Sequence, residues 1–444
     1  MSEIPAETKY LIIGNSAGGI GAAEAIREVD ARGSMAIVSD EPYPAYSRPL
    51  IAEHLAEGCS LERMLYRPTD FYERNRISTV LGQKAVGLDV NRHILTLDSG
   101  RAISWQKLLL ATGGLPIVPP IKGNRNKGIF TFTTLDDAKA ISNYMDAVER
   151  VVVIGGGLIG VSVTEALVKR GVAVTIVEMK DRVLNTILDE EVSAIADNVL
   201  QQAGVEIITG HVVSEINGRG GKAHGVTLDS GARIPCEMVV IAIGVRPRTE
   251  LVSNTGIKVN RGIVVDRHMA TSHPDVYACG DAAEAFDIPY GECRLTPIWP
   301  SAYIGGRTAG FNMAGQPVEY PGGMAMNSLR YFGLNVVSAG MVTPPDDSYE
   351  VIMSNKNGDY RKIILSNNVV VGLLFSGDIE KSGIIRNLIM NRVNVEGFKA
   401  ALVADDFGLA SLPGDLWRPE LEVPAGAVVS AVAEEAPAEA TAGE

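Results

Sequence analysis

Short apolar runs that stop at a glycine recur along the chain, and the sequence after each run decides what kind of unit it opens. KYLIIG (9–14) reads as a buried strand; GIGAAEAIREV (19–29) has helical composition, and SMAIVSDE (34–41) is a second strand ending in acids. That order predicts a βαβ unit. Between 60 and 98 the segments VLGQKAVGLDV and HILTLDSG alternate in the manner of antiparallel strands, and KLLLATGG (107–114) is again a buried strand, followed by the proline-rich crossing LPIVPP. A second βαβ pattern begins at VVVIGGGLIG (151–160), continues through a helix reaching Ala166 to Arg170, and ends in the strand VAVTIVE (172–178). MVVIAIGVRP (238–247) and DVYACGD (275–281) repeat the strand-plus-glycine pattern, and LTPIWPSAYIGGRTAGFNMAG (295–315) predicts a loop feeding a helix. From about 320 the chain turns to β-branched segments such as YRKIILSNNVVVGLLFSG, then a helix in KSGIIRNLIMNRV. Residues 412–444 are rich in alanine, proline and glutamate, lack periodicity, and are expected to be disordered.

The two βαβ units carry the candidate chemistry. In GGGLIG, Gly155, Gly157 and Gly160 stand in the full dinucleotide-turn spacing between a strand and a helix. The first permits the turn, the second lets a pyrophosphate approach the backbone, and the third lets helix and strand pack closely. Glu178, at the end of the next strand, is placed to accept hydrogen bonds from a ribose diol and to repel a 2′-phosphate, which favours NAD over NADP; Lys180 and Arg182 nearby temper that preference. GNSAGG (14–19) fits the same turn more loosely, because Ser16 occupies the second glycine position, and alone it is equally well explained by a strand and a tight turn. Together the two units point to two dinucleotides, of which a flavin and a nicotinamide are the usual pair. Asp281, at the end of DVYACGD, is placed to bond a ribityl hydroxyl.

Composition narrows this further. A formal charge of −13 argues against a nucleic-acid partner. No stretch approaches the roughly 18 apolar residues of a membrane span, and the acidic start MSEIPAETKY lacks a signal-peptide core. The four cysteines, Cys59, Cys236, Cys279 and Cys293, form no close pair and no metal-ligand spacing, as expected of reduced thiols in a cytoplasmic protein without a metal site.

Over residues 8–410 the chain resembles the two-dinucleotide-fold FAD/NAD(P) oxidoreductases, in particular the branch holding NADH:rubredoxin oxidoreductases, ferredoxin reductases and the flavin-reducing part of nitrite reductases. The resemblance implies an α/β fold of two Rossmann-like domains, with the NAD domain inserted in the FAD domain, plus a C-terminal α+β domain. On the sequence the FAD domain spans 1–114 and 238–318, the NAD domain 115–237, the C-terminal domain 319–411 and the tail 412–444. For FAD it implies the turn Gly14, Ser16, Ala17, Gly18 and Gly19 at the pyrophosphate and Asp40 or Glu41 at the adenosine ribose. It further implies Ala111, Thr112 and Gly113 at one strand end, Gly280 and Asp281 at another, and Trp299 against the isoalloxazine. Gly155, Gly157, Leu158, Ile159, Gly160 and Glu178 match the NAD(H) site, and Gly244 lies in the segment crossing back to the flavin domain.

Departures from the family pattern bear on mechanism. Ser162 stands where many members carry a glutamate near the nicotinamide. The redox cysteine of the coenzyme A-disulfide reductases and water-forming oxidases falls on Pro49, and no CxxxxC pair is present. PAYSRPLI (44–51) thus places Arg48 and Pro49 by the flavin, with Arg48 and Trp299 as the candidate catalytic residues and no thiol. The implied function is FAD-dependent electron transfer between NAD(H) and a ferredoxin-like, rubredoxin-like or other iron–sulfur protein, either a separate carrier or a fixed subunit. The rivals are a peroxide-forming NADH oxidase and a structural flavoprotein subunit with little nicotinamide turnover. A homodimer through the C-terminal domain is a further expectation.

Overall fold

A computed structural model describes residues 5–356 and 358–416. Strands Ile77–Leu81, Met35–Ser39, Glu7–Ile13 and Ala102–Leu110 lie parallel in that spatial order, and Val276–Ala278 adds to the far half of Ala102–Leu110. Their central residues, such as Leu11, Ile12 and Leu108 to Leu110, are fully buried. This is why they read as continuous apolar runs: a parallel sheet is covered on both faces. Ala85–Asp89 and Ile94–Leu97 extend it as an antiparallel edge. Of the segments expected to be antiparallel between 60 and 98, Ile77–Leu81 is instead parallel to Met35–Ser39, because the chain returns to it through three short helical stretches rather than a hairpin.

Helices Ala17–Val29 and Trp299–Met313 cross on this sheet at very close range. A Cβ on Gly306 would meet the Gly18 carbonyl oxygen at 2.0 Å, and one on Gly310 would meet that of Ala22 at 2.4 Å. Gly306 and Gly310 in WPSAYIGGRTAGFNM are therefore contact residues, four apart on one helix face.

A second parallel sheet runs Glu206–Thr209, Ala173–Glu178, Arg150–Ile154, Met238–Ile241, Ile129–Thr131. This corrects the boundary expected at 238: Met238–Ile241 pairs with Arg150–Ile154 and belongs to the second sheet, and the chain leaves it only after Ile241. Gly114–Pro116 and Val245–Pro247 then form the two-stranded crossing between the sheets. A five-stranded antiparallel sheet of Met326–Tyr331, Leu334–Gly340, Val369–Ser376, Asp359–Ser366 and Glu350–Lys356, with the helix Ser382–Met390 against it, completes the molecule. Leu412 is buried in this last core and Leu416 packs on it, so the tail expected from 412 begins with packed residues. From 417 onward the tail lies outside the described residues. Among the described residues no helix is long and apolar enough to cross a membrane.

Candidate functional site

One cleft of about 1520 Å³ runs between the two parallel sheets, and both glycine turns open onto it. Gly14 (φ +122°) and Gly155 (φ +107°) sit where a side chain is strained, and a Cβ on either would strike a carbonyl oxygen of the neighbouring strand end. Gly19 and Gly160 do not line the cleft, which corrects their expected place among the cofactor contacts. Each lies beneath its turn, where a Cβ would meet the Gly14 or the Gly155 carbonyl oxygen at 1.9 Å. Gly157 is different: it faces the cleft, and a Cβ there would touch nothing within 4 Å.

The helices Ala17–Val29 and Leu158–Lys169 begin at these turns with no side-chain cap and no acid in the first turn. Their first backbone N–H groups and positive dipole ends are left for a ligand, which suits a pyrophosphate at each. Met179, Val212 and Ile243 are exposed apolar residues in the same cleft, at 62 %, 40 % and 40 %. Apolar walls beside two uncapped helix ends fit two dinucleotides, FAD and NAD(H).

The remaining expected residues divide by what holds them. Ser16, Ala17, Gly18, Ala111, Thr112, Gly113, Leu158, Ile159, Gly244, Gly280 and Trp299 all line the cleft. Glu178, 8 % exposed, accepts from Gly156 N–H (2.6 Å) and Lys180 N–H (2.8 Å), so it braces the second turn as well as facing the cleft. Asp40 accepts from Arg248 (2.7 Å). Glu41 is more heavily committed: it pairs with Arg48 and accepts from the Tyr46 hydroxyl at 2.5 Å. That hydroxyl in turn accepts from Leu135 N–H (3.0 Å), and Arg48 donates to the Thr133 carbonyl (2.9 Å). The segment around PAYSRPLI thus ties the first sheet to the entry of the second.

Asp281 lines the same cleft within electrostatic reach of Arg48. Burial raises its pKa, and Arg48 only partly offsets the rise. Burial would lower the Arg48 pKa, but Tyr46, Glu41 and Asp281 together hold it above the usual arginine value. Arg48 is therefore a fixed cation, and it opens the short 3₁₀ turn Arg48–Leu50, with Pro49 as its second residue, that leads into the helix Ile51–Glu57.

Cys59, the one cysteine close in sequence to this segment, is buried against the helices of the second sheet and does not line the cleft. Cys279 does reach the cleft wall, under Gly18, where burial pushes its thiol up to about 12. It is a neutral thiol at physiological pH, not a nucleophile. The sequence reading missed Tyr46, Thr133, Asp137, Arg248 and Cys279 as cleft residues. Tyr46 and Cys279 lie inside PAYSRPLI and DVYACGD, segments that stand out for their neighbours, whereas Thr133, Asp137 and Arg248 arrive from separate elements that only the tertiary fold brings together. Among the described residues no group of three or more His, Cys, Asp or Glu side chains is arranged for a metal.

Residues 8–306 match the family model for pyridine nucleotide-disulphide oxidoreductases, and 326–393 match that of the rubredoxin NAD+ reductase C-terminal domain. The chain belongs to the pyridine nucleotide-disulphide oxidoreductase family. It is an FAD-dependent NAD(H) oxidoreductase of the rubredoxin and ferredoxin reductase-like branch. The oxidoreductase is 31 % identical to the NADH-dependent phenylglyoxylate dehydrogenase subunit epsilon of Aromatoleum evansii, over 93 % of this chain and 98 % of that one. It is 28 % identical to the NADH-rubredoxin oxidoreductase of Clostridium acetobutylicum, over 84 % and 92 %. Among solved structures, the covalent putidaredoxin reductase–putidaredoxin complex superposes with a TM-score of 0.80 at 26 % identity, covering 87 % of this chain and 94 % of that one.

Proposed function

We propose that this oxidoreductase passes electrons between NAD(H) and an iron–sulfur or rubredoxin-type protein through FAD alone, with no thiol in the relay. When bound, FAD would supply the exchange chemistry, coupling two-electron hydride exchange with the nicotinamide to one-electron exchange with the carrier. The chain's residues hold and shape this site. Gly14 to Gly18 and Gly155 to Ile159 hold the two pyrophosphates, Asp281 the ribityl chain, and Arg48 supplies a fixed positive charge that favours the reduced flavin. Glu178 faces the ribose of the second dinucleotide and favours NADH over NADPH.

The observation that carries the reading is the cleft wall itself: Pro49, which the family resemblance sets where relatives carry a redox cysteine, lines it, and the cysteine that reaches it, Cys279, is held neutral by burial. Likeness to a named dehydrogenase subunit and to a named rubredoxin reductase supports a protein partner, carried either as a fixed subunit or as a separate carrier. We place this activity in the cytoplasm, where four free thiols stay reduced.

The test is anaerobic purification from the native source, with iron counted and co-purifying subunits identified, followed by NADH-dependent reduction of the iron protein recovered. NADH consumption that needs only oxygen, with peroxide as product, would replace this reading with a peroxide-forming oxidase.

A further inference from the structure

Glu178 is followed by a loop, 179–189, that frames the second dinucleotide turn. Met179, Lys180, Asn185 and Thr186 in it line the cleft, and Leu184 N–H donates to the Gly156 carbonyl (2.8 Å), tying the loop to the glycine turn. The loop ends at Asp189, whose two oxygens face different ways. One caps the helix Glu190–Gln202 through Val192 N–H (3.1 Å). The other accepts from the Tyr360 hydroxyl (2.5 Å) and the Lys362 ammonium (2.9 Å), both on the strand Asp359–Ser366 of the C-terminal sheet. This ion pair is nearly closed to water, with side-chain exposures of 11 % for Lys362 and 13 % for Asp189. Burial alone would raise the Asp189 pKa, yet Tyr360 and Lys362 hold it below the usual carboxylate value.

The same sheet grips the nucleotide-facing helix at a second point. Phe332 N–H donates to Glu165 (3.1 Å), and Tyr331 lies beside Ser162, the residue that departs from the family's glutamate. Both elements that flank the second glycine turn are therefore held from the C-terminal sheet. A buried ion pair is poor glue in itself, since an apolar pair of similar volume often stabilises as much or more. What it provides is a fixed direction and distance, here applied to the loop over the nucleotide.

We propose that Lys362 and Tyr360 are positioning residues for NAD(H): through Asp189 they set the shape of the 179–189 loop, and so the affinity of the second dinucleotide site. The inference rests on the reading of that site as the NAD(H) site.

The experiment uses the full-length, flavin-loaded protein and measures NAD+ binding by calorimetry beside steady-state kinetics with NADH. Lys362→Met is expected to weaken NAD+ binding about tenfold, within the range of typical site-to-site coupling. KM for NADH rises in step, while flavin content and flavin absorbance stay unchanged. Lys362→Arg restores binding to within about threefold of the unaltered protein, because it keeps the charge facing Asp189.

The control is Arg361→Met on the same strand. Arg361 is also buried and ion-paired, but to Asp378 (2.7 Å), and it donates to the Ala404 carbonyl (2.7 Å), away from the NAD loop. It is expected to lower thermal stability without changing NAD+ affinity. Unchanged affinity in Lys362→Met, or equal weakening in Arg361→Met, would overturn the proposal by reducing the contact to general stability. Should Lys362→Met not fold, Tyr360→Phe reads the same quantity with an expected loss of about threefold, the share of one of the two donors, and unchanged affinity there overturns it equally. Absence of NAD+ binding in the unaltered protein would overturn the site reading and this inference with it.

Discussion

Gly157→Ala separates what the glycine turn does for the fold from what it does for a ligand. Gly157 has φ −78° and ψ −172°, an ordinary extended conformation for any residue, and its added Cβ would meet no atom within 4 Å. Alanine is a poorer N-cap than glycine by a few tenths to about 1 kcal/mol. The loss of unfolded-chain freedom returns about 0.4–1 kcal/mol. The two nearly cancel, so the melting temperature should move by no more than about 2 °C.

The new methyl group, however, points into the cleft beside the open N–H groups of the helix Leu158–Lys169. A pyrophosphate displaced there loses one charge-assisted hydrogen bond, worth about 1.5–3 kcal/mol, which corresponds to a loss of about 10- to 150-fold in NADH affinity. Gly160→Ala gives the opposite pattern: its Cβ would sit 1.9 Å from the Gly155 carbonyl oxygen, so the fold itself should suffer. Differential scanning calorimetry and NADH titration of the two variants, both with flavin counted, check the pair. Should Gly157→Ala keep full NADH affinity, the pyrophosphate does not lie on this turn and the reasoning fails.

Glu178→Ala should lose NADH affinity without gaining NADPH, because the carboxylate also braces Gly156 and Lys180; steady-state flavin reduction with each nucleotide would contradict this if NADPH became the better donor. Asp281→Asn should raise the thermal stability of flavin-stripped protein at pH 7 while weakening flavin retention. Burial raises the Asp281 pKa above 3.8, so its ionised form costs stability that is lost as pH rises from the unfolded value through the folded one. A lower melting temperature at pH 7 in the variant would contradict that sign. Tyr46→Phe should destabilise by about 1–3 kcal/mol, since it leaves the buried Leu135 N–H and one Glu41 oxygen without a partner; urea unfolding that matches the unaltered protein would show that other groups satisfy them.

What the sequence made legible was local. GGGLIG could be read as a dinucleotide turn because its three glycines answer three steric demands within six residues, and Gly155, in its tight turn, and Gly160, in its close packing, meet theirs in the structure. The strand Met238–Ile241 was assigned to the wrong sheet because an apolar run announces burial but carries no mark of its partner. Ile77–Leu81 lies at a half-buried sheet edge, as an antiparallel strand also could, and its direction is fixed by the connection before it. Glu41 was read as a ribose ligand from its place at a strand end. In the structure it pairs with Arg48, 7 residues on, and accepts from the Tyr46 hydroxyl, 5 residues on; only the bond from Leu135 N–H that fixes this hydroxyl spans 89 residues, beyond any local pattern. Leu412 and Leu416 were lost in the composition of the long segment that follows them. The grip of Lys362 on Asp189 is the extreme case: each residue alone reads as a surface charge, and only the packed domains show both buried.

The central claim, that electrons pass through the flavin with no thiol store, is tested most directly by anaerobic dithionite titration of the isolated, flavin-loaded chain. With Pro49 at the position of the family's redox cysteine, Cys59 away from the cleft and Cys279 held neutral by burial, the account predicts complete reduction at two electrons per flavin, without the long-wavelength absorbance of a thiolate against the flavin ring. An end point at four electrons per flavin would contradict it.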